Sequence, residues 1–238
     1  MMPKMKKFGF YNKMRTIGLC NVVAWVWVTY DKKIKTAQDL FGKKILIGRP
    51  GGSRTPVEEE ILRDLGIYDK AKIVHGGYGG GRNALKDGLV DATVMLIDYI
   101  IPAGFRKGSF IEDMETRAPI YYLNIMPKEV QAKLNYPVPL KVYPGALGRK
   151  TQPKELWSSV LTLFFAADER QDEKVVYEVT RILYENAGKY NAWHAQGASL
   201  TKESIPTYAL GPDWVHKGAK KYYEEKGIKL TPLADILP

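Results

Sequence analysis

The sequence predicts an α/β protein built around a parallel sheet, and three short stretches carry that prediction. In the first, Lys43-Lys44-Ile45-Leu46-Ile47-Gly48-Arg49-Pro50-Gly51-Gly52-Ser53-Arg54-Thr55-Pro56, an apolar run breaks into glycines and restarts as a helix at Val57-Glu58-Glu59-Glu60. The second repeats the shape: Ala71-Lys72-Ile73-Val74-His75 runs into Gly76-Gly77-Tyr78-Gly79-Gly80-Gly81 and then Arg82-Asn83-Ala84-Leu85-Lys86-Asp87-Gly88. A third apolar run, Asp91-Ala92-Thr93-Val94-Met95-Leu96-Ile97, follows at once. Short continuous apolar runs alternating with helical patterns argue for βαβ units, whose ligands bind outside the carboxyl ends of the strands. Two glycine-opened helix starts would then face one crevice, and unpaired backbone N–H groups at a helix start suit a small anion.

In chain order, Val22-Val23-Ala24-Trp25-Val26-Trp27-Val28 reads as a buried strand, too short to cross a bilayer. Thr36-Ala37-Gln38-Asp39-Leu40 reads as a Thr-capped single helical turn. The helix from Pro56 sets Val57, Ile61, Leu62 and Leu65 on one face and Glu58, Glu59, Arg63 and Asp64 on a solvated face, and Gly66 stops it. Ala84 and Leu85 give the next helix its inner face, with Gly88 as its stop. Between 103 and 142, prolines 119, 127, 137 and 139 divide short pieces, with a helix expected over Lys128–Leu134 and a strand over Leu140–Tyr143. Further on, a strand is expected across Leu161–Phe165. An amphipathic helix should run from Asp172 to about Tyr190 with Val175, Val176, Val179, Ile182, Leu183 and Ala187 along one stripe. The last helix covers Gly218–Lys226 and stops at Gly227.

With 238 residues and 45% hydrophobic content the chain can bury a sizeable core, as one large domain or two small ones. Its net charge of +10 is not spread along it: residues 1–49 carry a net +9, and the 25 basic and 24 acidic residues that follow nearly cancel. That distribution argues against a nucleic-acid groove lined with phosphate contacts. One cysteine, Cys20, allows no disulfide framework and no cysteine metal site, and in its apolar run it reads as a small hydrophobe. The opening Met1–Lys13 supplies the basic start of a secretory signal without the apolar run or the cleavage site, so no export signal and no membrane span are expected in this chain.

Nucleotide loops do not fit Gly76–Gly81. Arg82 stands where the last glycine of the dinucleotide pattern should be, and no Lys-Ser or Lys-Thr pair follows. These glycines suit either a tight strand-to-helix turn or a ligand lying against exposed backbone. Histidines 75, 194 and 216 have no metal-ligand spacing, and no serine sits in a nucleophile elbow. Glu58-Glu59-Glu60 is the acidic first turn of a helix. No catalytic residue, cofactor or metal is therefore expected. Arg54 is the residue of greatest interest, since a guanidinium beside a helix start can hold a carboxylate by two parallel hydrogen bonds while Ser53, Thr55 and backbone N–H groups complete the cradle. An Arg on a mobile surface loop is the competing reading. Tyr78 and Tyr143 stand on turns after strands, suited to covering the apolar part of a ligand. The ligand-binding set is thus Gly52, Ser53, Arg54, Thr55, Tyr78, Gly79, Asp98 and Tyr143.

Several of these segments together resemble a known family. Ile34–Lys44, Pro50-Gly51-Gly52-Ser53-Arg54-Thr55, Ala84-Leu85-Lys86-Asp87-Gly88-Leu89-Val90-Asp91-Ala92, Tyr143-Pro144-Gly145 and His216–Gly227 are similar to motifs of the TAXI family, the solute receptors of tripartite ATP-independent periplasmic (TRAP) transporters. The resemblance runs from about residue 15 to the end. It implies a two-lobed α/β fold of the type II periplasmic-binding-protein kind, periplasmic or otherwise extracytoplasmic, that closes over a small organic acid or amino acid such as glutamate and hands it to TRAP membrane subunits. Arg54 replaces the family's glycine, which is expected to change ligand preference or narrow the cleft, and Lys217 replaces a proline. The family's opening segment has no counterpart, so the first lobe is expected to be incomplete and to leave apolar surface exposed. On this reading residues 1–41 are the remnant of lobe I and the crossover, 42–150 are lobe II, and 151–238 cross back and place the C-terminal helices on lobe I. The alternatives are an ABC-type substrate-binding protein, or an enzyme on the same fold using Asp98 and His75.

Overall fold

The computed structural model describes residues 11–131 and 138–238. Contacts divide the described residues into two compact units, one falling within 1–22, 99–104 and 162–237 and the other within 23–98 and 105–161. The architecture is mixed α/β. Among the described residues, eight strands form a sheet in the order β3-β2-β4-β1-β8-β7, with β5 joined to β4 and β6 to β1. The strands are β1 (Met14–Thr29), β2 (Lys44–Ile47), β3 (Lys72–His75), β4 (Ala92–Ile100), β5 (Gly104–Lys107), β6 (Tyr121–Leu123), β7 (Val138–Val142) and β8 (Leu156–Asp168).

The larger unit, residues 23–98 and 105–161, carries the predicted βαβ pattern. β2 pairs in parallel with β3 (Ile45↔Ile73, Ile47↔His75) and with β4 (Ile45↔Ala92). Between them run α1 (Thr55–Asp64) and α2 (Tyr78–Lys86). β1 runs antiparallel to β4, with Trp27 opposite Val94 and Val28 opposite Thr93. The sheet is therefore mixed. Its core joins Trp25, Trp27, Ile45, Ile47 and Val94 from the strands to Ile61 and Leu62 from α1 and Leu123 from β6. Burying such side chains stabilises by about 1.5 to 3 kcal/mol each. The region between 103 and 142, which shows no clear period, folds as β5, α3 (Ser109–Glu115), β6, α4 (Lys128–Gln131) and β7. Leu134, the far end of the helix expected there, lies outside the described residues.

Several elements depart from expectation. α2 starts at Tyr78 rather than at Arg82, so Gly79, Gly80 and Gly81 are helical. At Gly81 a Cβ would meet Thr93 Oγ1 at 2.5 Å, so this glycine lets the helix lie close on the sheet. Thr36 does not cap the short turn at Gln38–Leu40. Instead Asp39 Oδ2 reaches back to accept from the Lys35 and Thr36 backbone N–H groups and from Thr36 Oγ1. Glu58, assigned to the solvated face of α1, is only 2% exposed. The chain's long central strands β1 and β8 each extend well beyond the apolar runs that announce them.

The smaller unit packs α5 (Glu173–Glu185) against α6 (Lys217–Glu225), beside a two-stranded parallel sheet of β9 (Thr207–Tyr208) and β10 (Thr231–Pro232). Asp172 caps α5 by accepting from the Lys174 and Val175 N–H groups, and His216 Nδ1 caps α6 by accepting from Gly218 N. Tyr222 and Tyr223 fill the core with Ile17, Val176, Ile205 and Val215. Of the apolar stripe expected on α5, Val176 is buried, while Val175, Val179 and Ile182 remain exposed. Leu183 and Ala187 pack against the core from the same stripe, and α6 approaches α5 closely at Gly218, where an added Cβ would collide with the Glu173 carbonyl oxygen.

Candidate functional site

Because β2 and β3 are parallel and each leads directly into a helix, the starts of α1 and α2 lie at the same end of the sheet. The β2–α1 loop is held by short bonds. Gly52 N donates to Arg49 O at 3.0 Å and Thr55 Oγ1 donates to the same oxygen at 2.6 Å. Gly51 takes a positive φ of 74°, a conformation that a side chain would strain. The loop folds back over Gly48, where a Cβ would strike Thr55 Oγ1. Neither helix receives a side-chain cap: the residues at the cap positions, Arg54 and Gly77, make no such bond. In α1, Pro56 has no N–H and Val57 N already donates to Arg54 O at 3.0 Å, so of the first turn only the Thr55 N–H lacks a carbonyl within the helix, whereas in α2 the N–H groups of Tyr78, Gly79 and Gly80 precede the first intrahelical bond, Gly81 N to Gly77 O.

Arg54 joins the two helix starts. Its guanidinium carbon lies 3.8 Å from the centroid of the Tyr78 ring, at the first position of α2. Its Nε is 3.2 Å from Glu58 Oε1, one helical turn along α1, and Nη1 reaches the Val94 carbonyl at 3.5 Å. Nη2 is buried and has no hydrogen-bond partner among the described residues. Tyr78 is fixed from the other side by Trp25, whose Nε1 donates to its hydroxyl at 3.1 Å. Burial pushes the Tyr78 hydroxyl pKa up, against the pull of Arg54.

Glu58 is the group that sequence periodicity missed. Its Oε2 accepts from Gly48 N at 2.6 Å. Burial raises its pKa to about 7, and this outweighs the lowering by Arg54, the Gly48 N–H and His75. Near neutral pH the carboxyl is therefore divided between its two charge states, and the positive charge of Arg54 is only partly cancelled. One signal was available in the sequence: Glu58 stands four residues after Arg54, the spacing at which helical side chains meet.

The predicted binding residues fall into two groups. Arg54 and Thr55 are buried at the start of α1, Ser53 is exposed beside them, Gly52 belongs to the turn, and Tyr78 and Gly79 open α2. A Cβ at Gly77, Gly79 or Gly80 would meet nothing within 4 Å, so this backbone faces open space. Arg54 thus sits behind the helix starts and does not project from a mobile loop, and the Thr55 hydroxyl serves the loop itself. The second group lies further along the sheet. Asp98 on β4 accepts from Arg106 Nη2 at 2.8 Å, and Tyr143 packs edge-on against Phe105 with centroids 5.2 Å apart. His75 is engaged through Nδ1 with the Gly48 carbonyl at 3.1 Å. Asp98 and His75, the two bases an enzyme on this fold would call on, both have structural partners.

Among the described residues, no cluster of three or more His, Cys, Asp or Glu side chains could hold a metal ion, and no helix is long and apolar enough to cross a membrane.

Comparison with known proteins gives a family. The profile described as NMT1-like family matches residues 5–227. No curated protein matches the chain. Solved structures with detectable likeness include the periplasmic aliphatic sulphonate binding protein SsuA from Escherichia coli, at 14% identity and a TM-score of 0.45, covering 94% of this chain and 73% of that one. A putative L-cystine ABC transporter from Listeria monocytogenes matches at 15% identity and a TM-score of 0.45, covering 86% and 70%. A mutant of ArgBP from T. maritima matches at 13% identity and a TM-score of 0.38 over 82% of this chain. The chain spans 63% of the length of that ArgBP.

Proposed function

The chain belongs to the NMT1-like family, and from that premise we propose that it is a solute-binding protein whose larger unit receives the carboxylate of a small organic acid or amino acid. The observation that carries this reading is the pair of adjacent, uncapped helix starts with the Arg54 guanidinium buried between them. Helix N-termini favour negative charge by roughly 0.3 to 1 kcal/mol each, and a cation held out of water behind them adds to that potential. The ligand carboxylate lies on the Ser53 side of α1 and along the open Gly77–Gly80 backbone of α2. Arg54 acts as fixed charge, with Glu58 setting how much of it the ligand feels.

In this proposal the protein belongs with binding proteins of the two-lobed periplasmic kind, works outside the cytoplasm and does not turn its ligand over. Its motifs at Ile34–Lys44, Pro50–Thr55 and Ala84–Ala92 favour a TRAP receptor, with TRAP membrane subunits as the partner, over an ABC-type binder. Thermal denaturation against a panel containing glutamate, 2-oxoglutarate, aspartate and a neutral amide control tests the binding reading. A ligand at about 100 times its Kd should add about 2.7 kcal/mol of stability. If none of the acids stabilises the protein more than the amide does, the reading fails. Co-purification with the membrane subunits encoded beside the gene separates the TRAP system from an ABC system.

A further inference from the structure

The far end of the same sheet holds a different kind of site. Strand register places it: Val28 of β1 pairs with Thr93 near the beginning of β4, and Ala92 pairs with Ile45 near the beginning of β2. The chain leaving β1 therefore emerges at the end opposite to Gly48 and Arg54. There a cavity of about 540 Å³ is lined by Lys32, Lys33, Lys35, Lys150 and Lys154. Among the described residues none of these five ammonium groups lies within 4.0 Å of a carboxylate, although the Asp39 pKa is lowered by the Lys35 and Thr36 N–H groups and, more weakly, by the Lys35 charge. The one acidic residue in the lining, Glu155, is paired with Lys141 at 3.2 Å.

The walls that carry the lysines are held in place by hydrogen bonds from buried Gln152, half-buried Asn124 and exposed Asp31. Gln152, 3% exposed, donates through Nε2 to the Tyr143 and Lys154 carbonyls and accepts from Leu147 N, which fixes the loop bearing Lys150 and Lys154. Asn124 links Lys35 to β8: its backbone N–H donates to the Lys35 carbonyl and its Oδ1 accepts from Trp157 N. Asp31 Oδ1 accepts from Lys33 N, and the Ile34 side chain is anchored in the core. The five lysines are solvent-exposed, so an anion entering the cavity meets the positive field of side chains that line it from two segments of the chain. Tyr121, Pro153 and Leu156 give the cavity apolar surface as well.

We propose that this cavity is a second binding site, for a compact organic phosphate carrying at least two negative charges and an apolar or aromatic body. The volume lies within the range of roughly 300 to 1,000 Å³ typical of small-molecule sites. Lysine binds phosphate as a point charge, so several lysines can share one anion that carries two or more charges. This inference does not depend on the carboxylate reading of the opposite end.

The test is isothermal titration calorimetry of the full chain at low ionic strength with inorganic pyrophosphate, adenosine diphosphate and citrate. Saturable binding is expected in the order adenosine diphosphate, pyrophosphate, citrate, weakening with added salt. Two double variants, Lys32→Gln with Lys33→Gln and Lys150→Gln with Lys154→Gln, should each lower the pyrophosphate affinity at least tenfold. A control, Lys217→Gln with Lys221→Gln, removes the same charge from α6 and should change it less than twofold. Circular dichroism melting of each variant shows that it is folded. Bound pyrophosphate should also shield Lys150 and Lys154 from acetylation, read by mass spectrometry. Absence of saturable binding, equal weakening by pocket and control variants, tighter binding of citrate, or shielding confined to other lysines would each overturn the proposal.

Discussion

Replacing Glu58 by Gln separates two views of the buried Arg54–Glu58 pair that give opposite signs. If the pair is a net attraction, removing its anion leaves a buried cation uncompensated and costs about 3 to 5 kcal/mol. The structure favours the other view, because burial dominates and lifts the Glu58 pKa from 4.5 to about 7. A folded-state pKa above the unfolded one means that the folded protein holds this proton more tightly. The resulting stability is fully present below about 4.5 and is lost as pH rises through about 7. At roughly 1.4 kcal/mol per tenfold change, the rise amounts to about 3 kcal/mol. Gln keeps the size of the side chain and an oxygen for the Gly48 N–H, and cannot ionise. Below about pH 4.5 the variant and the natural protein should be nearly equal in stability, and by about pH 8 the variant should be more stable by up to about 3 kcal/mol. Urea unfolding followed by tryptophan fluorescence at both pH values gives the comparison. A variant less stable at the higher pH, or a difference independent of pH, refutes the reasoning.

The same proton should govern ligand affinity: as pH falls through about 7, Glu58 becomes neutral and uncovers the Arg54 charge, so calorimetry should show a carboxylate binding more tightly at the acid side of that value. Gly218→Ala should destabilise by about 1 to 3 kcal/mol in urea unfolding, because the new Cβ meets the Glu173 carbonyl oxygen and lies 2.9 Å from Tyr177 N. That steric cost exceeds the gain of about 1 kcal/mol that alanine brings to a helix. His216→Ala removes the cap of α6 and should lower stability by about 1 kcal/mol, with His216→Asn restoring most of it. Burial first, and Lys217 second, hold the His216 pKa below its ordinary 6.5, so its contribution is present above that value and is lost as pH falls through the lower folded one. The pH dependence of unfolding in His216→Asn should lack that acid-side loss.

What could be read from the sequence and what could not divides along the range of the interactions involved. The β2–α1 and β3–α2 units were visible because apolar runs, glycines and helical periodicity are local, and the parallel pairing of Ile45 with Ile73 follows from them. β5, α3 and β6 were not, because their residues owe their conformation to distant partners: Gly108, for example, is required where a Cβ would come within 2.7 Å of the Leu96 carbonyl oxygen. Among the candidate site residues the same division holds. That Arg54 stands at a helix start was legible; that it lies behind the start was not, since its position is set by the Tyr78 ring and the Val94 carbonyl from other elements. Glu58 shows the limit most clearly. A glutamate in an acidic first turn normally belongs to solvent, and periodicity has no means of marking one that is stabilised indoors by a guanidinium four residues back and by the N–H of Gly48. Those two donors still leave its pKa near 7. A fully compensated carboxylate would cancel Arg54 at every physiological pH and leave the helix starts as the only attraction for an anion. Incomplete compensation keeps part of the guanidinium charge available, which is the condition under which a buried arginine can still attract a ligand that it does not touch.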